Sequence, residues 1–345
     1  MIEKLQEEKQ LIDNFLLSFL SEEEKKFEKQ SLVKDAFSKI KDFVISGKTV
    51  RGGLFLLAVK SLDEKKYQTE QKKLLKIAAA LELIHSSLLI HDDIIDQDKK
   101  RRGQNSIWYQ YELDAERENY QNPKEYGQNQ AICLANIANF LAISLLRETN
   151  ILPTISEEII KTNFAEMLDS KITSQKELPS FDEVLEMYLF KTARYTFSLP
   201  LKLAGLINEL KDEEITQLEK IGEKLGLIFQ IVDDSISIFT PEELSGKSFA
   251  SDIREGKKTL FYLTLLEEIP PSEKEFLMAK YGQKNLSKEE IIKIQNLFRQ
   301  FAQTKIEKLL NQFKKKAQVE IAEIEPKEMN LLLKEILEYN FSRKF

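Results

Sequence analysis

The sequence predicts an all-α fold, a single large helical bundle formed by residues 1–345. Three observations carry that prediction. Glycine (11) and proline (8) are scarce in a chain of 345 residues, while Leu, Ile, Lys, Glu and Ala dominate, the usage of long helices joined by few turns. Apolar residues recur at helical spacing over most of the chain, and alternating strand patterns are nearly absent. No Pro/Gly/Ser-rich linker and no internal repeat divides the chain, so a length that would permit two domains is assigned to one.

Residues 1–45 alternate charge with Leu, Ile and Phe at helical spacing, which predicts two amphipathic outer helices before Gly47. A helix is expected from near Leu54 and another from about Gln71 through Asp96. The polar stretch Gly103 to Gly127 reads as a loop followed by a weak helix. Core helices follow at about 128–148, 155–173, 181–206, 213–239 and 258–268, broken at Pro153, Pro179, Pro241 and Pro270-Pro271, with Pro200 kinking the third. The Lys-rich segment 287–345 predicts two or three closing helices.

A net charge of -6 argues against a nucleic-acid binder, which would carry a basic face. Only nine of the 51 basic residues are arginine, so surface charge is supplied by lysine and the arginine positions are the informative ones. The single Cys133 rules out an internal disulfide, lies in an apolar run and reads as a buried small hydrophobe, which suits a reducing cytoplasm. The N-terminus is too polar and acidic for a targeting peptide. The most apolar run, Ala131 to Leu146, is too short to span a bilayer and reads as a core helix, so no transmembrane segment is expected.

The segment His85 to Gly103 holds both histidines, three carboxylates within five residues and the pair Arg101-Arg102. On a helix Asp92 and Asp96 share a face one turn apart, with Asp93 on the flank. Carboxylates at the end of so apolar a helix repel one another and call for a cation, and hard oxygen ligands suit Mg²⁺ completed by substrate phosphates. A second reading fits the same residues: Lys99 to Arg102 followed by Gly103 also describe a helix C-terminus with its cations and glycine cap. Far along the chain, Gly222-Glu-Lys-Leu-Gly226-Leu-Ile-Phe229-Gln230-Ile-Val-Asp233-Asp234 again drives an apolar helix into paired carboxylates. Inward carboxylates on two distant helices can clamp metal ions in a bundle core, which a solvated surface does not explain.

These residues resemble the trans-isoprenyl diphosphate synthases, the polyprenyl synthetase family, with geranylgeranyl and farnesyl diphosphate synthases as its nearest type. The family's Asp-Asp-x-x-Asp-x4-Arg-Arg-Gly motif is complete from Asp92 to Gly103. Gly47-Lys48-Thr-Val-Arg51, His85, Lys191-Thr192, Phe229-Gln230, Gly246-Lys247, Gly256-Lys257 and the basic tail Ser342-Arg343-Lys344 follow the family's order. The resemblance implies a bundle of the isoprenoid synthase type around a central cavity, and a homodimer. It also implies head-to-tail (1'-4) condensation of isopentenyl diphosphate with an allylic diphosphate by Mg²⁺-assisted ionisation, condensation and proton loss. Asp92, Asp96 and Asp233 would ligate three Mg²⁺ ions with the allylic diphosphate, which Arg101, Lys191, Lys247 and Lys257 would also bind. Lys48, Arg51, His85 and Arg102 would hold isopentenyl diphosphate, and Arg343 belongs to the diphosphate-binding set. Thr192 and Gln230 would face the developing cation. Chain length is set in the family by the fourth and fifth positions before the first aspartate, here Leu88 and Ser87, and a small Ser87 points to geranylgeranyl or longer products.

The chain departs from the family where Ser237 replaces the third aspartate of the second motif, an expected weakening of Mg²⁺ binding. Ser237 also raises a class I terpene cyclase as a rival, but that motif needs glutamate at 241, which is Pro241. A non-catalytic subunit of a heteromeric prenyl synthase is the other rival, and such subunits usually lose the first motif, here whole.

Overall fold

The apolar stripe that runs from Leu74 to Ile90 builds the central helix of the first of two units, and most of its residues are fully buried. The computed structural model describes residues 2–240 and 251–343, and its contacts group the chain as Met1–Thr154 with Leu203–Glu209, and Ile155–Lys202 with Leu210–Phe345. In chain order the first unit contains α1 (Ile2–Lys26), α2 (Val33–Ile45), α3 (Val50–Leu62), α4 (Glu64–Thr69), α5 (Gln71–Ile95), β1 (Lys100–Arg101), β2 (Gln104–Asn105), α6 (Ile107–Arg117) and α7 (Pro123–Leu146). α5 packs against α1, α3 and α7, so its stripe is covered on several sides by Leu, Ile, Phe and Ala.

The second unit holds most of α8 (Leu152–Ser174), then α9 (Phe181–Tyr188), a π-helical segment (Leu189–Ser198), the start of α10 (Leu199–Ile207) and α11 (Asp212–Phe239). After these come α12 (Ser251–Glu255), α13 (Leu260–Glu268), α14 (Pro271–Lys280), α15 (Lys288–Leu297), a π-helical turn (Phe298–Ala302), α16 (Gln303–Ala322) and α17 (Lys327–Ser342). α11 is the hub of this unit, packed on the first π segment, α16 and α17.

The fold is all-α, as the sequence predicts, and the two five-turn-or-longer helices ending in aspartates lie within a residue of their expected bounds. Three local expectations are corrected. The basic run Lys99 to Gly103 is not a helix end: α5 stops at Ile95, Gln97 takes the left-handed conformation that follows a helix (φ 58°), and Lys100 to Asn105 form a hairpin. Gly103 is the second turn residue of that hairpin, after Arg102, and positive φ at both (54° and 77°) matches a two-residue hairpin turn. The break expected at Pro270-Pro271 is present between α13 and α14, and Pro271 also starts α14, because a proline at the first helical position lacks an N–H that has no partner there anyway. Cys133 is exposed rather than buried, because α7 turns only its Ala131, Leu134, Ala138, Leu141 and Leu145 face inward.

α7 is also longer than its most apolar run: its 24 residues and the 25 of α5 reach the length and hydropathy of a membrane span. The most apolar window of α5 is 72% buried within the protein and that of α7 44% buried, the burial of a core helix and of a helix with one open face.

Candidate active site

The first unit carries Lys48 and Arg51 at the α2–α3 junction, His85, Ser87, Leu88 and Asp92 along the second half of α5, Asp96 just past its end, and Arg101 and Arg102 on the β1–β2 hairpin. Asp92 and Asp96 are one turn apart, the Asp96 N–H donating to the Asp92 carbonyl at 2.8 Å, and both side chains are partly exposed. Asp93 between them points the other way and is fully buried. Arg101 Nε donates to Asp93 Oδ1 at 2.5 Å and Nη2 to Asp92 Oδ2 at 3.0 Å, which ties the hairpin to the helix end. Burial pushes the Asp93 carboxyl up to about 7 and the Arg101 charge opposes it. The turn between is anchored at the Asp98 carbonyl, which accepts from Ser106 Oγ at 2.6 Å and Trp108 Nε1 at 2.8 Å.

Arg102 is the first turn residue of the hairpin, and its Nη1 donates to the Phe43 carbonyl at 3.1 Å and to Ser46 Oγ at 3.2 Å. A Cβ on Gly47 would meet that guanidinium at 2.7 Å, so the glycine of the Gly-Lys-x-x-Arg element gives Arg102 its room. Arg51 is nearly buried at the start of α3, and Lys48 just before it is exposed. His85 lies partly buried near Arg51 and Arg102, and burial and those charges hold its pKa well below the ordinary imidazole value. The folded chain thus binds this proton less tightly than the unfolded chain. The stabilisation is complete above the unfolded value of about 6.5 and declines as pH falls through it. A ¹H–¹⁵N titration is expected to show His85 neutral throughout the range in which an ordinary histidine titrates; a midpoint at the ordinary value would remove the arginine cluster from its surroundings.

In the second unit, Lys191 and Thr192 sit on the π-helical segment, whose wide turn displaces side chains from their α-helical positions and is common at functional sites. Lys191 Nζ reaches Asp169 at 2.5 Å and Glu166 at 2.9 Å, both on α8. Thr192 Oγ1 donates to Gln230 Oε1 at 2.8 Å, and Gln230 Nε2 donates to Asp234 Oδ1 at 2.8 Å. The Tyr188 hydroxyl donates to the other oxygen of the buried Asp234, and itself accepts the Leu260 N–H at 3.3 Å. Burial, and next the Asp252 charge, raise the Asp234 carboxyl well above the usual range. Asp233 is more open and meets Arg343 Nη2 at 3.1 Å, the guanidinium lying 4.1 Å over the Phe229 ring. Ser237 is buried. Lys257 follows the turn at Gly256 (φ 72°), its Nζ 3.2 Å from Glu255 and its carbonyl accepting from Tyr281 Oη at 2.6 Å. Lys247 lies outside the described residues.

Sequence reading missed the partners of Asp93 and Asp234, namely a hairpin arginine and Tyr188, and it missed Glu82, a buried carboxylate of α5 discussed below. Its only available signal was a charged residue inside an apolar helical run.

Two apolar helices of an all-α fold carry paired aspartates, met by Arg101 at Asp92 and Asp93 and by Arg343 at Asp233, and the class they belong to is that of the all-α isoprenyl diphosphate synthases. The chain belongs to the polyprenyl synthetase family, whose model matches residues 33–298, and it is an enzyme, a trans-prenyltransferase. It is 30% identical over 291 residues to a geranylgeranyl diphosphate synthase of Saccharolobus solfataricus, covering 79% of this chain and 80% of that one. It is also 30% identical over 263 residues to a farnesyl pyrophosphate synthase of Candida albicans, covering 73% and 71%. Among solved structures, geranylgeranyl pyrophosphate synthase from Corynebacterium glutamicum, complexed with isoprenyl diphosphate and magnesium, superposes with a TM-score of 0.90 at 25% identity, over 99% of each chain.

Proposed function

We propose that this prenyltransferase condenses isopentenyl diphosphate head-to-tail with an allylic diphosphate and extends it to geranylgeranyl length or beyond. The observation that carries the reading is the pair Asp92 and Asp96, one turn apart at the end of an apolar helix, with Arg101 hydrogen-bonded to Asp92. Carboxylate oxygens suit Mg²⁺, and among the described residues no three His, Cys, Asp or Glu groups converge as a cage, so a cation there takes further ligands from a diphosphate. Asp92 and Asp96, and separately Asp233, are assigned to Mg²⁺, three ions in all, which would supply charge neutralisation to the leaving diphosphate.

The chain's own residues do the rest. Arg101, Lys191 and Lys257, with Lys247 as helper, are each assigned to the allylic diphosphate, and Arg343 to diphosphate binding. Lys48, Arg51, His85 and Arg102 hold isopentenyl diphosphate, with His85 as a neutral donor, so that its double bond meets the allylic carbon. As the allylic C–O bond breaks, the diphosphate leaves with the electron pair, the new C–C bond forms, and the released diphosphate takes the proton that restores the double bond. Thr192 donates its hydroxyl proton to Gln230 Oε1, so the Thr192 oxygen keeps its lone pairs and the Gln230 oxygen keeps one for the developing cation.

Ser87 is fully buried, with no hydrogen-bond partner for its Oγ among the described residues, and Leu88 is half-buried beside it. A hydroxyl that nothing in the packing requires suits a position where a growing apolar chain passes. Ser87→Phe is expected to shorten the main product by one or more isoprene units, read by chromatography of the dephosphorylated products; an unchanged length would remove Ser87 from chain-length control.

A homodimer is part of the reading. α7 exposes Ile132, Ile137, Phe140 and Ile143, Phe140 to 70%, and a groove of about 1180 Å³ takes in Cys133, Ile137 and Phe140. Light scattering should then give twice 40.1 kDa. Cys133 as a lone thiol fits a cytoplasmic setting. The decisive assay supplies isopentenyl diphosphate, Mg²⁺ and dimethylallyl, geranyl or farnesyl diphosphate to the purified chain. Products of geranylgeranyl length or longer are expected. Cyclic hydrocarbons without isopentenyl incorporation would favour a terpene cyclase, and activity only with a second polypeptide would favour a partner subunit.

A further inference from the structure

Glu82 is a carboxylate inside the apolar stripe Leu74 to Ile90 of α5, 3% exposed and ten residues before Asp92. A buried carboxylate is costly unless charges and hydrogen bonds satisfy it. Glu82 Oε1 accepts the N–H of Gly52 at 2.8 Å. Gly52 is in the first turn of α3, where the N–H groups have no partner within their own helix. The residue that would normally cap them, Thr49, is left-handed (φ 52°) and makes no side-chain cap. Glu82 therefore caps α3 from the neighbouring helix, and Arg51 is the residue immediately before the N–H it holds. The two helices touch there, since a Cβ on Gly52 would lie 2.8 Å from the Ala78 carbonyl oxygen.

The second role is electrostatic. Burial raises the Glu82 carboxyl above its ordinary range, and the charges of Arg51 and Arg102 together with the Gly52 N–H draw it back. For Arg102 the balance is reversed: burial and the charges of Arg101 and Arg51 lower its pKa, and Glu82 counters them. In its ionised form Glu82 thus offsets the charges of the two guanidiniums, which would otherwise repel each other.

We propose that Glu82 is a positioning residue for isopentenyl diphosphate: it sets the start of α3, and with it Arg51, and holds Arg51 and Arg102 together without touching substrate. The inference rests on the assignment of Arg51 and Arg102 to that diphosphate. Glutamine keeps the shape and an oxygen for the Gly52 N–H but removes the charge, whereas alanine removes both.

The test measures KM for isopentenyl diphosphate, KM for the allylic primer, kcat and melting temperature for Glu82→Gln, Glu82→Ala and, as reference, Arg51→Ala. Misplacing a binding group by about 1 Å can cost on the order of a hundredfold, so Glu82→Gln is expected to raise the isopentenyl KM about tenfold and Glu82→Ala about a hundredfold. The allylic KM, and kcat at saturating isopentenyl diphosphate, should stay within about twofold. Lower melting temperature with both KM values unchanged would reduce Glu82 to a packing role and overturn the proposal. Should Glu82→Ala fail to fold, Glu82→Gln decides by the same KM comparison. If Arg51→Ala raises the isopentenyl KM and the Glu82 variants do not, this inference alone fails; if Arg51→Ala also leaves it unchanged, the assignment of the diphosphate fails first.

Discussion

Asp92→Ala is expected to lower prenyl transfer by about a thousandfold or more while leaving the melting temperature nearly unchanged. Charge neutralisation of a leaving group is worth several kcal/mol, and each 1.36 kcal/mol is tenfold in rate. The fold loses little, because the Asp92 side chain is partly exposed and Arg101 keeps Asp93 at 2.5 Å and Asp98 at 3.5 Å. The adjacent residue should behave in the opposite sense. Asp93 is fully buried against Arg101, and breaking a buried pair by removing one partner costs about 3 kcal/mol. Asp93→Asn should therefore unfold at markedly lower denaturant. Steady-state rates beside urea titrations of both variants separate the two roles; Asp92→Ala within tenfold of the parent would end the metal assignment.

That contrast shows where the sequence stops being informative. Spacing alone puts Asp92 and Asp96 on one face, because a helical repeat is a property of the chain itself. Spacing does not say whether Asp93 faces solvent or core. The answer depends on Arg101, and Arg101 was open to two readings: Lys99 to Gly103 has the composition of a helix terminus, yet it forms a hairpin with only two paired residues on each side. Left-handed Gln97 ends the helix six residues earlier than glycine would have suggested. Cys133 shows the complementary failure. An apolar run states that a helix has something to cover it, and not which side this chain covers; α7 buries its alanines and leaves Phe140 outside. The motifs around Lys191 and Gln230 were legible as elements in order along the chain, but the Tyr188–Asp234–Gln230–Thr192 series was not, since it joins residues from three segments and needs a π turn to do so. Residue type carries almost no signal for that turn.

What seats the π turn is a pair of glycines, and they give the second large expected effect. Gly222 and Gly226 are one turn apart on α11, and a Cβ on Gly226 would lie 2.3 Å from Ala193 Cα and 2.5 Å from its Cβ. On Gly222 it would lie 2.5 Å from Ser198 Cα. These obstacles are backbone atoms or atoms fixed to them, so no flexible side chain can move aside. In an ordinary helix, Gly→Ala stabilises by about 1 kcal/mol through propensity. At Gly226 overpacking should outweigh that gain, for a net loss of about 2 kcal/mol. Function should fall further than stability explains, because Ala193 follows Thr192 directly and Gln230 is one turn beyond Gly226, with a 2.8 Å hydrogen bond between the two side chains. A shift near 1 Å between the segments would break that bond, and with the roles proposed for Thr192 and Gln230 the expected result is a loss of kcat on the order of a hundredfold. Denaturant midpoint and kcat of Gly226→Ala, measured with both substrates saturating, test the pair of effects together. A variant more stable than its parent would mean that α11 and the π segment have room to spare, and the placement of Thr192 beside Gln230 would then have to come from the Tyr188–Asp234 contact.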